Sequence, residues 1–77
     1  MKAQEDSKGV RKRVLRERTL CETHDFSPSW LDREVAAGRF PAPIKLSPAG
    51  NGRAKGWLAH EVDEWLAARI AERDRAA

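Results

Sequence analysis

Ser27-Pro28 at one end and Gly38 at the other bracket a short segment that the chain can hardly use for anything but a helix. Serine at an N-cap accepts a hydrogen bond from one of the unpaired N–H groups of a first helical turn. Proline at the first helical position has no N–H to leave unpaired, and its φ is already helical. Glycine just past the last turn takes the positive φ that ends a helix. These signals predict a helix over Pro28–Ala37, with Leu31, Val35 and Trp30 on its apolar side and Ser29, Asp32, Arg33 and Ala36 facing out. Phe26, one residue before the cap, is placed to pack as a hydrophobic staple on Leu31. Past Gly38, Pro41 and Pro43 forbid helix, and Ile44-Lys45-Leu46 alternates as a half-buried strand. Ser47 to Gly56 (SPAGNGRAKG) holds three glycines, a proline and an asparagine, which marks a turn, and Trp57-Leu58 begins the return strand. The order is helix, stop, strand, basic glycine-rich turn, strand.

The flanks complete one small domain. Val14-Leu15 is read as a short strand or as a way into the core. Glu17–His24 places Leu20 and Cys21 together in a one-to-two-turn helix, so the pair of helices makes a helix-turn-helix. His60–Arg73 is the clearest helix: Val62, Trp65, Leu66, Arg69 and Ile70 recur at helical spacing. Glu61, Asp63 and Glu64 load its first turns and Arg69, Arg73 and Arg75 its end, in the order the helix dipole favours. Residues 1–12 are expected to be a disordered basic arm, 13–73 the folded domain and 74–77 a frayed tail. The expected core is Leu20, Cys21, Leu31, Val35, Phe40, Ile44, Leu46, Trp57, Val62, Trp65, Leu66 and Ile70, with at least two of the three tryptophans inside it.

Several classes of function find no residues to carry them. A chain of 77 residues makes one thin-cored domain with little room for a substrate pocket. Cys21 is the one cysteine, which excludes a disulfide framework or a multi-cysteine zinc site and reads as a small core residue. His24 and His60 stand in no metal spacing, and the HEVDE stretch lacks a second histidine. Gly50, Gly52 and Gly56 do not follow a strand-to-helix phosphate pattern. We expect no enzyme, no cofactor and no metal. No run approaches a membrane span and no signal-peptide core is present, so the cytosol is the expected compartment.

Charge points to a polyanion. Residues 1–18 carry seven Lys/Arg against three acids, while residues 59–77 carry three against five. Ser29, Trp30 and Arg33 lie early on the second helix, where a recognition helix meets base edges, and Arg33 has the fork that pairs with guanine. Arg53 and Lys55 sit on the loop or its return limb, where they are placed to hold the DNA backbone. Arg11, Lys12 and Arg13 begin an arginine-dense stretch suited to phosphates, and Lys45 and Arg39 extend the basic face. Each residue has a plainer role too: Arg33 paired with an acid, Trp30 in the core, Ser29 within the cap, and Arg53 and Lys55 in an ordinary turn. Asp32 and Glu34 oppose phosphate on the same helix; Glu34 falls on its flank.

Together, SPSWLDREVAAG, GRFPAPIKL, Trp57 and EVDEWLAARIAER resemble the AlpA-type phage and prophage regulators over Leu15–Ile70. The resemblance implies a mostly α, α/β winged helix-turn-helix, about three helices plus a β-hairpin wing, akin to MerR-type domains and small excisionases. Carried over by position, Ser27, Ser29, Trp30 and Arg33 fall on the recognition helix, and Arg53 and Lys55 on the wing. Phe40, Pro41, Trp57, Val62, Trp65 and Leu66 fall in the framework. Pro28 stands where a basic residue is usual, Asp25 where glycine is usual, and the wing is longer than typical. The implied function is sequence-specific binding of double-stranded DNA, as a transcriptional regulator or as an excisionase. An integrase or RNA polymerase, and further copies of the chain on DNA, are its expected partners. The rival reading is a protein-interaction module that docks on a recombinase or polymerase through its acidic last helix.

Overall fold

The computed structural model describes residues 13–48 and 53–76. The arm and the tip of the glycine-rich loop, Arg11 and Lys12 included, lie outside those bounds. The elements run β1 (Val14–Leu15), α1 (Glu17–His24), α2 (Pro28–Ala36), β2 (Ile44–Lys45), β3 (Lys55–Leu58) and α3 (Ala59–Ala76). The sheet is antiparallel in the order β1-β3-β2. This is a mostly helical winged helix-turn-helix with one strand more than a bare hairpin. β1 closes the second edge of β3, with Leu15 opposite Trp57. Gly56 makes that closeness possible: a Cβ there would meet Val14 Cγ1 at 2.5 Å and the Leu15 carbonyl oxygen at 3.1 Å.

Both helices of the helix-turn-helix end in a left-handed residue. Gly38 has φ +78°; its N–H donates to the Val35 carbonyl at 3.0 Å, and that of Arg39 to the Glu34 carbonyl at 2.9 Å. This pair of bonds satisfies carbonyls that a helix end leaves open. At α1 the same position is held by Asp25, φ 62°, and the Phe26 N–H reaches back to the Cys21 carbonyl at 2.9 Å. The turn therefore keeps its geometry with aspartate where glycine is the easy choice. A side chain in the left-handed region costs about 1 kcal/mol, partly offset by the chain entropy that glycine would add. Asp25→Gly should accordingly stabilise the domain by about 0.5 kcal/mol. A urea titration checks this, and a loss of stability would mean that the Asp25 side chain itself holds the turn.

The core is Leu20 and Cys21 from α1, Leu31 from α2, Phe40 from the connector, Trp57 from β3 and Val62 from α3. Burying each large side chain contributes about 1.5–3 kcal/mol. Leu15, Phe26, Trp30, Val35 and Trp65 pack around it, half-buried. Phe26, expected to staple onto Leu31, has the Trp30 ring as its nearest ring, at 4.6 Å, and also meets Phe40 and Trp65 edge-on.

Three expected core positions need correction, and three more lie only at the margin. Ile44 is 39% exposed, Leu66 40% and Ile70 44%, while Val35, Leu46 and Trp65 are half-buried. Ile44 pairs with Gly56, so its side chain lies on the face of the sheet opposite that of Trp57, away from the core. Leu66 and Ile70 sit where α3 has outrun the body, for every residue from Leu66 to Ala76 is exposed. Of the three tryptophans, only Trp57 is fully buried. α3 also continues to Ala76, past the Arg73 end expected for it. No described helix is long and apolar enough to cross a membrane.

Candidate nucleic-acid interface

The outer face of α2 is set by what its inner face buries. Leu31 is fully buried, with Trp30, Glu34 and Val35 half-buried beside it. Helical geometry then turns Ser29, Asp32, Arg33 and Ala36 to the opposite side, and all four are exposed. Arg33 stands there one turn past Ser29, with Asp32 beside it. Ser27 is exposed too, but its hydroxyl accepts from the Trp30 N–H at 3.1 Å, the expected cap. Trp30 lies within 6.4 Å of the Phe26, Phe40 and Trp65 rings, which is its core role rather than a place on the outer face. Ser29 and Arg33 are therefore the predicted recognition residues that the fold presents together.

Of the two acids on this helix, Glu34 is withdrawn from the outer face. Arg39 grips it with two of its guanidinium nitrogens: Nε donates to Oε1 at 2.8 Å and Nη2 to Oε2 at 3.0 Å. That hydrogen bonding holds the Glu34 carboxyl below its ordinary value of 4.5, against a smaller opposing effect of burial, and raises Arg39 in turn. Arg39 is therefore spent on the helix rather than added to a basic face. The link also ties the C-terminal half of α2 to its connector. Because the folded-state value is the lower one, the pair stabilises the domain above the ordinary carboxylate range and stops doing so as pH falls through the folded value. Glu34→Gln should thus lower thermal stability near neutral pH, with the gap to the native chain closing below about pH 4.5. Melting curves across that range check it; a gap that persists in acid would mean that shape rather than charge holds the link.

The connector is pinned from two sides. The indole N–H of Trp57 donates to the Pro41 carbonyl at 2.8 Å, and that of Trp65 to the Arg39 carbonyl at 2.7 Å. Phe40 lies between those two carbonyls in sequence and is itself buried, 4.7 Å from the Trp65 ring. One residue thus anchors the passage from α2 to β2, and two indoles bind the carbonyls on either side of it. Nothing in the residue order announces these two bonds, since they join positions 16 and 26 apart.

The wing's base is well formed. Ile44 pairs with Gly56 and Lys45 with Lys55, and the Leu46 N–H donates to the Ala54 carbonyl at 2.8 Å beyond the last paired residues. Arg53, exposed, stands just before Ala54 at the end of the loop. Lys55 is a strand residue and already occupied: its Nζ lies 3.9 Å from Glu17 and 5.7 Å from the centre of the Trp57 ring. Its carbonyl accepts from Arg16 Nε at 3.0 Å, which braces the wing against the start of α1. Lys45 is exposed on the same sheet face. Arg13 is exposed, and its carbonyl accepts from the Ala59 N–H at 2.8 Å, satisfying an open donor at the start of α3. In the residue order Arg16 is one more cation of a basic run, and only the fold makes it a brace. Cys21, buried, has its thiol pushed up by burial and by the nearby Glu17, Asp32 and Glu22 carboxylates, which disfavours the thiolate.

Residues 13–70 match the family model described as Prophage CP4-57 regulatory protein (AlpA). No curated protein and no solved structure is similar enough to match.

Proposed function

The chain belongs to the AlpA family of prophage regulatory proteins, and from that footing we propose that it binds specific double-stranded DNA through α2 and its wing, without chemistry of its own. The observation that carries this is the outer face of α2. Ser29 and Arg33 stand exposed on a helix whose two ends are fixed by a side-chain cap and a left-handed glycine. Such a helix enters the major groove as a rigid piece, and base contacts from its early residues select the sequence. Arg53, Lys45 and Arg13 are the exposed cations that supply phosphate contacts around it. Asp32, on the same face, repels phosphate and so weakens binding to unrelated DNA, which sharpens selection. Its own base partner is the cytosine amino group.

The role we assign is prophage-type regulation in the bacterial cytoplasm, as a transcription factor working with RNA polymerase or as an excisionase working with an integrase. One recognition helix reads few base pairs, so several copies on neighbouring sites serve either role. The test is a titration against the DNA flanking its own gene at two salt concentrations, with random duplex as control. Preference for the flanking DNA, falling steeply with salt, supports the reading; footprinting then separates promoter from attachment site. No preference, or no binding at low salt, overturns it.

The wing makes its own prediction. Arg53→Ala should lower affinity on every sequence and reduce the salt slope by about 0.9 for each phosphate left without its cation. Lys55→Ala should do less, because Glu17 already holds part of its charge. An unchanged slope in the double variant would remove the wing from the interface.

A further inference from the structure

Asp63, Leu66, Ile70 and Arg73 follow one another along α3 at spacings of three, four and three residues. That spacing lines them up as a single seam on one side of the helix, as in a coiled coil. Leu66 and Ile70 are 40% and 44% exposed, and Asp63 and Arg73 are exposed as well. Val62, fully buried, and Trp65, half-buried, anchor the helix's first half to the body. The seam therefore runs off the body and is left uncovered.

An exposed apolar pair does not say what covers it, but the charges at its ends do. Read from either end, the seam is charge, apolar, apolar, charge, with opposite signs at the two ends. We infer that α3 pairs antiparallel with α3 of a second copy. About a two-fold axis, Asp63 then faces Arg73 of the second copy, Leu66 faces its Ile70, and both contacts are made twice. A parallel arrangement would set Asp63 on Asp63 and Arg73 on Arg73, which repels. Arg73 is available for this: its present bond, to Asp74 at 3.0 Å, joins side chains 72% and 64% exposed, a surface contact worth little.

The seam is about 15 Å long at the rise of an α-helix. Two such seams bury far less than the roughly 1,200–2,000 Å² of a stable complex. The dimer is thus weak in free solution and forms when neighbouring DNA sites raise the local concentration of copies.

Sedimentation equilibrium of the full chain without DNA, at low salt and up to about 1 mM, tests this separately from DNA binding. The native chain should show a reversible monomer–dimer equilibrium. Asp63→Arg and Arg73→Asp should each weaken it about tenfold by setting like charges face to face. The chain carrying both changes should regain the native constant, and an equimolar mixture of the two single variants should associate as well. Circular dichroism should be unchanged in all of them, since both positions are exposed. A native chain that stays monomeric at the highest concentration overturns the inference. So do single variants that associate like the native chain, or a double variant that fails to recover.

Discussion

Trp57→Ala is expected to abolish cooperative unfolding at room temperature, because no folded population should remain. Trp57 is 1% exposed in the middle strand of the sheet, and removing a buried tryptophan side chain costs about 3–5 kcal/mol. A domain of this size has a total stability of only several kcal/mol, at about 0.05–0.15 kcal/mol per residue. The loss is more than burial. The Pro41 carbonyl would also lose its indole donor. Trp57→Phe separates these effects: it retains most of the apolar volume and should cost about 1–3 kcal/mol for the unmade hydrogen bond. Trp65→Ala should be milder than Trp57→Ala, since Trp65 is only half-buried at the edge of the aromatic cluster. Denaturant titrations followed by circular dichroism measure all three. A cooperative transition in Trp57→Ala, or a larger loss in Trp65→Ala, would mean that the core is centred elsewhere.

The second large effect falls on recognition. Arg33→Ala should lower affinity for the preferred site by about 1–3 kcal/mol, the worth of a bidentate contact to guanine, with a much smaller loss on random duplex. The fold should be indifferent, because Arg33 is exposed on the outer face of α2. Parallel titrations of the native and variant proteins on both DNAs read the difference. Equal losses on the two would make Arg33 a phosphate contact, and the selectivity would then have to come from Ser29, Asp32 or the shape of the DNA.

What is legible in the residue order is whatever depends on neighbours in sequence. Ser27, Pro28 and Gly38 bound α2 because capping and left-handed glycine are local chemistry. The outer set Ser29, Asp32, Arg33 and Ala36 follows from helical spacing once Leu31 is taken as buried. β1 reads only as a strand or a way into the core, since a two-residue strand has no period; its partner, β3, lies some 40 residues away. Trp30 stands between core and DNA because an amphipathic residue at the edge of an apolar stripe fits both, and only the rings of Phe26, Phe40 and Trp65 decide it. Leu66 and Ile70 pass for core because an apolar stripe reads alike whether its own domain or another molecule covers it. The Glu34–Arg39 link is hidden for a different reason: it depends on the left-handed turn at Gly38 folding Arg39 back beside the helix.

The clamp around Phe40 bears on how such a protein changes its target. The side chains that hold α2 against the wing point inward or bond to backbone carbonyls. Those that would read bases point outward, and no core packing depends on them. If α2 reads bases as proposed, a new operator is a matter of rewriting Ser29, Asp32 and Arg33 while the chassis keeps its shape. A lineage of such chains could then drift from one DNA site to another through folded intermediates at every step.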